Sequence, residues 1–287
     1  MSHPPTSDKL GPFHVFNITY KTVNSTPIDT SILIPKTLQP GKHPVLVRWH
    51  GGFLIAGARL YMPLFPQWLF DFSRTRRAIL IVPDYRLLPE ASSLDILTDV
   101  ADFWAWTQRD LPIELGRLAP GWHQSRHRLL PVLDVDSRFF SEAYNKPILG
   151  TPQQPVSVVD SHIASIRAGE VVAADETDPP SRIPLAISIV QNGRYTELLG
   201  GDERLRPFLN LQRFDGELPF IFAYHGREDM AVPAEGTEKW EELLKKTRPE
   251  GKWRVTIEPG DHFFDAEATL ESPWLREGLE EFERYWR

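Results

Sequence analysis

Two short apolar runs constrain the fold of this chain more than any other feature. Val45–Trp49 and Ala78–Val82 are compact and largely apolar, which is typical of strands buried on both faces of a parallel sheet. The aromatic segment Tyr61–Phe72 between them leaves room for a helix. Together the three segments predict a unit of strand, helix and strand, and this unit favours an α/β fold with a mostly parallel central sheet flanked by helices.

The segments on either side of this unit also have recognisable patterns. Phe13–Thr22 alternates in polarity, and Thr30–Ile34 follows a turn-like Asn24–Pro27, so an antiparallel hairpin is predicted. Ser92 is a good N-cap residue, and the apolar residues that follow it recur at helical spacing. We therefore predict an amphipathic helix that begins just after Ser92.

The carboxyl-terminal third of the chain returns to the texture of a buried sheet. Phe220–Tyr224 and Trp253–Ile257 are predicted strands, and a helix is predicted around Glu235–Lys246 between them. A last amphipathic helix is predicted over Leu275–Trp286. These elements extend the α/β pattern to the end of the chain.

The middle of the chain has a different character. Residues 138–217, roughly, are rich in Pro, Asp and Arg, and they contain helical patterns near Val158–Ala168 and Ile183–Gln191. A chain of 287 residues can form a single α/β domain. We interpret the middle segment as a helical cap or lid inserted into that domain.

Composition limits the partners and the chemistry. The net charge of −7 would repel phosphates, so neither nucleic acid nor an anionic membrane is expected as a partner, and a small neutral or cationic molecule fits better. The absence of cysteine excludes disulfides, thiolate metal ligands and a cysteine nucleophile. No metal or cofactor is predicted. With no apparent signal peptide or apolar run of about 18 residues, a cytoplasmic protein is expected.

Two motifs lie where the first two predicted parallel strands end. His50-Gly51-Gly52-Phe53 directly follows Val45–Trp49, and its glycines allow the backbone to turn so that N–H groups point into a cavity. Such donors stabilise an oxyanion. The next strand ends in Asp84-Tyr85-Arg86-Leu87-Leu88-Pro89-Glu90. At this separation the two segments resemble the hormone-sensitive-lipase group of esterases in the α/β-hydrolase superfamily.

The resemblance extends to the carboxyl-terminal strands and implies roles for four residues. It makes Gly51 and Gly52 the oxyanion hole of a serine esterase that acts on a small, fairly apolar ester. Asp229 follows the strand where this family places its catalytic acid, and His262 follows the last strand, where the family places its catalytic histidine. The acid would hold the imidazole in one tautomer and stabilise its protonated form during proton transfer.

The serine that should complete this triad is not apparent. In this superfamily it lies in G-x-S-x-G at a sharp turn from strand to helix, but no serine of the chain has glycine two residues away on both sides. Helical periodicity fails from Leu111 to Arg128, where Pro112, Pro120 and Gly121 break it. This segment runs almost straight into Leu133–Phe140, which is similar to the region after the next strand of the family pattern. We therefore expect that one strand and helix unit, of about 30 residues, is missing or rewritten, leaving an incomplete catalytic triad.

Three hypotheses about the missing serine remain open. The chain could be a shortened product, such as a splice or gene-model variant of an active esterase. It could be a non-hydrolytic member that only binds a small molecule, or that transfers protons with Asp229 and His262. Ser125 could have become the nucleophile, although a solvated loop serine is the commoner role in such a segment. Asp134 and Asp136 are weaker candidates because no small residues beside them would allow a tight turn.

Loss of a central strand would leave buried backbone groups of its two neighbours unpaired, which is costly. Leu129–Leu133 is the segment that could fill the vacancy. We predict that it pairs beside Val45–Trp49.

Overall fold

A computed structural model of the protein describes residues 8–124 and 146–286. These residues form two compact units, one of residues 8–124 and 161–186, the other of residues 146–160 and 187–286. Several residues that the sequence singled out lie outside the described ranges. They are Ser125, the Leu129–Leu133 segment, and the pair Asp134 and Asp136.

The first unit begins with the predicted hairpin. Strands β1 (Phe13–Val23) and β2 (Thr26–Pro35) pair antiparallel, so the prediction is confirmed. The turn is shorter than expected, because Asn24 and Ser25 alone form it with φ values of 48° and 67°. Two successive residues with positive φ give a turn whose twist matches that of the strands.

The strand, helix and strand unit is also confirmed. Strands β4 (Val45–Val47) and β5 (Ile79–Pro83) are parallel, and helix α1 (Gln67–Thr75) connects them. The four-stranded sheet has the order β1, β2, β5, β4, in which β2 and β5 run antiparallel. Every residue of β5 is buried, as expected for a strand covered on both faces.

Helix α2 (Ser93–Arg109) begins as predicted. Ser92 accepts a hydrogen bond from the Asp95 N–H, and the Asp95 side chain accepts one from the Ser92 N–H, which is a complete capping box. The helix buries Phe103 and Trp106 in the core of this unit.

The expectation that periodicity fails from Leu111 onward is wrong for its first turns. Leu111–Leu118 is a helix, α3. Pro112 lies in the first turn of this helix, where a backbone N–H would have no helical acceptor. Because no hydrogen bond is lost there, Pro112 begins the helix rather than breaking it. Leu111 and Leu115, four residues apart, are both fully buried.

A further short strand, β6 (Trp122–Gln124), pairs parallel with β3 (Gly41–His43). Only Pro44 separates β3 from β4, so β6 lies beside the beginning of the chain segment that continues into the Gly-Gly loop. Strands β3 and β6 form a two-stranded sheet of their own. The predicted pairing of Leu129–Leu133 beside Val45–Trp49 falls on residues outside the described ranges.

The second unit contains a parallel pair of strands, β7 (Ile221–Gly226) and β8 (Trp253–Glu258), with Gly226 opposite Glu258. Leu211, Ile221, Trp240 and Leu244 form its core.

None of the helices in the described ranges has the length and apolar character needed to cross a bilayer. The remaining helices are α4 (Ser157–Ser165), α5 (Ile183–Gln191), α6 (Tyr195–Leu199), α7 (Pro207–Arg213), α8 (Ala234–Thr247) and α9 (Pro273–Trp286).

Candidate active site

The Gly51–Gly52 loop of the first unit is a tight turn that requires glycine. Gly52 has a φ of +114°, and a Cβ atom there would lie 2.1 Å from the Ala56 carbonyl oxygen. Phe53 and Leu54 follow with φ values of 60° each, a conformation that costs energy for residues with side chains. Among the described residues, no group accepts a hydrogen bond from the N–H of Gly51 or Gly52.

His50 is a buried support of this loop. Its ring stacks on Tyr85 at 4.4 Å between centroids, and the Tyr85 hydroxyl donates to the His50 carbonyl oxygen at 2.8 Å. Burial lowers the pKa of His50 to about 4, so the imidazole is neutral at pH 7. Its Nδ1 lies 2.8 Å from the Gly51 carbonyl oxygen, to which a neutral ring can donate.

Asp84 connects the far end of the loop to the sheet. Its carboxylate accepts a hydrogen bond of 2.7 Å from the Arg59 N–H and forms an ion pair with the Arg59 guanidinium. Arg59 in turn donates from Nε to the Ser31 hydroxyl of β2 at 2.9 Å. Burial raises the pKa of Asp84 to about 6, against the opposing effect of Arg59.

Arg182 joins the loop to the end of the Asp84–Glu90 segment. Its guanidinium donates to the carbonyl oxygens of Ile55 and Leu88 at 2.6 and 2.7 Å. It also binds both oxygens of Glu90, at 2.9 and 2.6 Å. Burial alone would raise the pKa of Glu90, but the hydrogen bonds and charge of Arg182 lower it. In this structure the Asp84–Glu90 segment thus braces the glycine loop.

The second unit brings two loops together at the carboxyl ends of β7 and β8. Parallel pairing continues past the strands, because the Arg227 N–H donates to the Glu258 oxygen at 2.8 Å and the Glu228 N–H donates to the Gly260 oxygen at 2.9 Å. A Cβ atom at Gly226 would lie 2.3 Å from the Asp261 carbonyl oxygen. Glycine at the end of β7 therefore allows the loops of Asp229 and His262 to approach closely.

Asp229 and His262 form a hydrogen-bonded pair in these loops. Oδ2 of Asp229 lies 2.8 Å from Nδ1 of His262. Oδ1 accepts from the N–H groups of Ala231 and Val232 at 2.7 and 2.8 Å. Burial would raise the pKa of Asp229, but hydrogen bonds from His225 and His262 hold that pKa well below its usual range. The carboxylate is therefore ionised and only accepts.

The charge state of Asp229 determines which nitrogen of His262 is free to act. Because Nδ1 must donate to the carboxylate, the neutral imidazole carries its proton there and leaves a lone pair on Nε2. The Asp229 side chain is 5% exposed and that of His262 is 31% exposed. Within the described residues of its unit, Nε2 of His262 has no hydrogen-bond partner. A buried carboxylate thus supports an imidazole whose other nitrogen can accept a proton from outside the protein.

The structure therefore places Gly51 and Gly52 in the first unit and brings Asp229 and His262 together in the second, while Ser125 lies outside the described residues. Sequence reasoning missed Arg182, which it assigned only to the cap. The one available signal was Glu90, an acid in an apolar segment that needs a partner when buried.

Comparison with solved structures shows the fold. An α/β-hydrolase superfamily protein from Enterococcus faecalis superimposes with a TM-score of 0.58 at 17% identity, covering 94% of this chain and 99% of that one. The protein has an α/β-hydrolase fold, as the sequence predicted. No protein-family model matches the chain.

Sequence relatives define the family within this class. A probable carboxylesterase from a Phoma species is 29% identical over 320 positions, covering 98% of this chain and 99% of that protein. A probable carboxylesterase from Cochliobolus lunatus is 30% identical over 189 residues, covering 54% of this chain and 86% of that protein. The chain belongs to this carboxylesterase family of α/β hydrolases, which confirms the resemblance to esterases.

The first of these alignments also bears on the missing segment. It runs over 320 positions, whereas the whole chain has 287 residues. About 30 positions or more of the alignment therefore have no counterpart in this chain. Because nearly all of both chains is covered, the difference is internal.

Proposed function

We propose that the protein is a carboxylic-ester hydrolase for small, fairly apolar esters, in which Asp229 and His262 transfer protons and the N–H groups of Gly51 and Gly52 bind the oxyanion. The observation that carries this proposal is the 2.8 Å hydrogen bond between Asp229 Oδ2 and His262 Nδ1, which leaves Nε2 available. The carboxylesterase relatives support it.

The chemistry divides into two proton transfers. His262 Nε2 takes a proton from the attacking hydroxyl or water, and the ionised Asp229 stabilises the imidazolium that forms. The carbonyl oxygen of the ester becomes an oxyanion and accepts hydrogen bonds from the glycine N–H groups. The bond between the acyl carbon and the alkoxide then breaks, and His262 returns the proton to the departing alkoxide. Attack by water releases the acid directly, whereas attack by an enzyme hydroxyl leaves an acyl-enzyme that a water cleaves by the same two proton transfers. General acid and base catalysis of this kind contributes about 10²- to 10⁴-fold in rate.

The surroundings of His262 favour an apolar, uncharged substrate. The ring of Phe263 lies 4.9 Å from the imidazole, edge to face, and Phe263 and Met230 are 39% and 48% exposed. Large apolar side chains that stay exposed beside a polar pair provide a contact surface for an acyl or alkyl group. The net charge of −7 disfavours anionic substrates and nucleic acid. We therefore propose a small neutral molecule as the partner.

A second candidate function is supported by the internal length difference of about 30 positions and by the absence of a serine in a G-x-S-x-G context. In this candidate the same Asp229 and His262 pair serves proton transfer without an acyl-enzyme, or the protein only binds the small molecule.

Two measurements together test the proposal. One is labelling with a fluorophosphonate probe followed by mass mapping of the peptides, and the other is an assay on a short-chain p-nitrophenyl ester. A labelled serine and ester turnover would identify a serine nucleophile. Turnover that depends on His262 without any labelled peptide would identify water as the nucleophile. Absence of both would contradict the esterase proposal and favour the second candidate.

A further inference from the structure

A second imidazole, that of His225 at the end of β7, also contacts Asp229. Its Nε2 lies 3.1 Å from Asp229 Oδ2 and 2.8 Å from the Val232 carbonyl oxygen. Its Nδ1 lies 2.8 Å from the hydroxyl of Thr237 in α8. His225 is therefore held at both nitrogens, by one helix and one loop.

The partners of His225 determine which ring nitrogen carries the proton when the imidazole is neutral. A carboxylate and a carbonyl oxygen can only accept, so Nε2 carries the proton and donates to both. In that neutral ring Nδ1 carries no proton and accepts a hydrogen bond from the Thr237 hydroxyl. The neutral ring is thus satisfied at both positions. The His225 side chain is 13% exposed and Thr237 is 6% exposed, so the packing around them restricts other orientations.

The four hydrogen bonds to Asp229 fix its rotation. Oδ1 binds the N–H groups of Ala231 and Val232, while Oδ2 lies between the imidazoles of His225 and His262. A carboxylate held only on the Oδ1 side could still tilt about its side-chain bonds. The contact from His225 opposes that tilt and keeps Oδ2 directed at His262.

We propose that His225 is a positioning residue that orients Asp229 toward His262, and that Thr237 orients His225. The chain of contacts runs from Thr237 through His225 and Asp229 to His262. This inference rests on the proposed role of Asp229 and His262 in proton transfer. It assigns to His225 a role that acts through Asp229.

A purely structural role for His225 predicts different behaviour. Through Val232, His225 could simply stabilise the turn after β7, and its loss would then lower stability without changing the bond between Asp229 and His262. The low-field proton NMR signal of the His262 Nδ1–H separates these roles, since it reports the hydrogen bond to Asp229 directly. It is measured on the full chain with ¹⁵N-labelled histidine and needs no turnover.

Three variants test the proposal, with one matched control. His225→Leu removes the donor, His225→Gln retains an N–H donor near the same place, and Thr237→Val removes only the hydroxyl that orients the ring. Thr247→Val is the control, because Thr247 is on the same helix but its hydroxyl binds the Leu243 carbonyl oxygen. Thr237→Val keeps the test valid if His225→Leu does not fold.

In His225→Leu and Thr237→Val we expect the His262 signal to be lost or broadened by exchange. For His225→Leu we expect kcat/KM for a short-chain ester to fall about 100-fold, mostly in kcat, because a displacement of about 1 Å has an effect of that size. His225→Gln should restore the signal and most of the rate, and Thr247→Val should match the wild type in both.

An unchanged His262 signal in folded His225→Leu and Thr237→Val would overturn the positioning role, as would loss of the signal in Thr247→Val. Failure of the proposed function has a different signature. It would appear as wild-type protein with no ester turnover that depends on His262, whatever the NMR spectra of the His225 variants show.

Discussion

Asp229→Asn is expected to lower kcat/KM for short-chain ester hydrolysis by about 10⁴-fold, the loss seen when an acid that orients a catalytic histidine becomes an amide. The amide can turn its NH₂ toward His262 Nδ1, and the imidazole would then carry its proton on Nε2. In that tautomer Nε2 donates instead of accepting and cannot act as a base. The rates of wild type and variant are compared in steady-state assays at pH 7.

Asp261→Asn is the matched control for this prediction. Asp261 precedes His262 and is exposed, and its Oδ1 accepts from the Phe263 N–H at 2.9 Å, a contact that an amide oxygen can keep. Its rate should stay within a few-fold of wild type, about the scatter expected of surface substitutions. Equal losses in the two variants would contradict a specific role for Asp229.

The pH dependence of stability gives an independent view of the same carboxylate. The folded-state pKa of Asp229 is depressed, so Asp229 contributes stability above its unfolded pKa of about 3.9, and this contribution is lost as the pH falls toward the folded value. The stability difference between wild type and Asp229→Asn should therefore be largest at neutral pH and shrink on acidification in denaturant titrations.

Gly52→Ala is expected to abolish the local structure of the glycine loop. The added Cβ would lie 2.1 Å from the Ala56 carbonyl oxygen, at a φ of +114° that alanine rarely adopts. The loop must rearrange and its N–H groups must turn away, so kcat should fall by about 10²- to 10³-fold, the effect of losing an oxyanion donor. Ester assays and thermal unfolding measure the two consequences separately.

Gly116→Ala in α3 is the control for that substitution. A Cβ atom there meets nothing within 4 Å, and alanine is favoured over glycine inside a helix by about 1 kcal/mol. This variant should be as active as wild type and at least as stable. A Gly52→Ala protein with full activity would show that the loop is not an oxyanion site.

Local sequence signals predicted the elements that depend on local physics. The hairpin and the capped start of α2 follow from turn residues and from Ser92, whose effects extend over only a few neighbours. Helix α3 was missed because Pro112 was interpreted as a breaker. A proline in the first turn of a helix can begin that helix, as Pro112 does, whereas a proline further along breaks it.

The site divides in the same way. Asp229 and His262 could be predicted as neighbours because parallel strands bring their carboxyl ends to one edge of a sheet, so the residues after them meet. Arg182 and His225 could not be predicted as supports. Arg182 binds Glu90 and His225 contacts Asp229 because of tertiary packing. The spacing of residues in the sequence does not indicate which buried carboxylate a distant side chain will contact.

The central claim is that an imidazole held by Asp229 drives ester hydrolysis, and His262→Ala tests it most directly. Turnover of a short-chain p-nitrophenyl ester by purified wild-type protein should exceed the spontaneous rate, and His262→Ala should reduce kcat by at least about 10²-fold with the fold intact by circular dichroism. Hydrolysis at the wild-type rate by His262→Ala would contradict the claim.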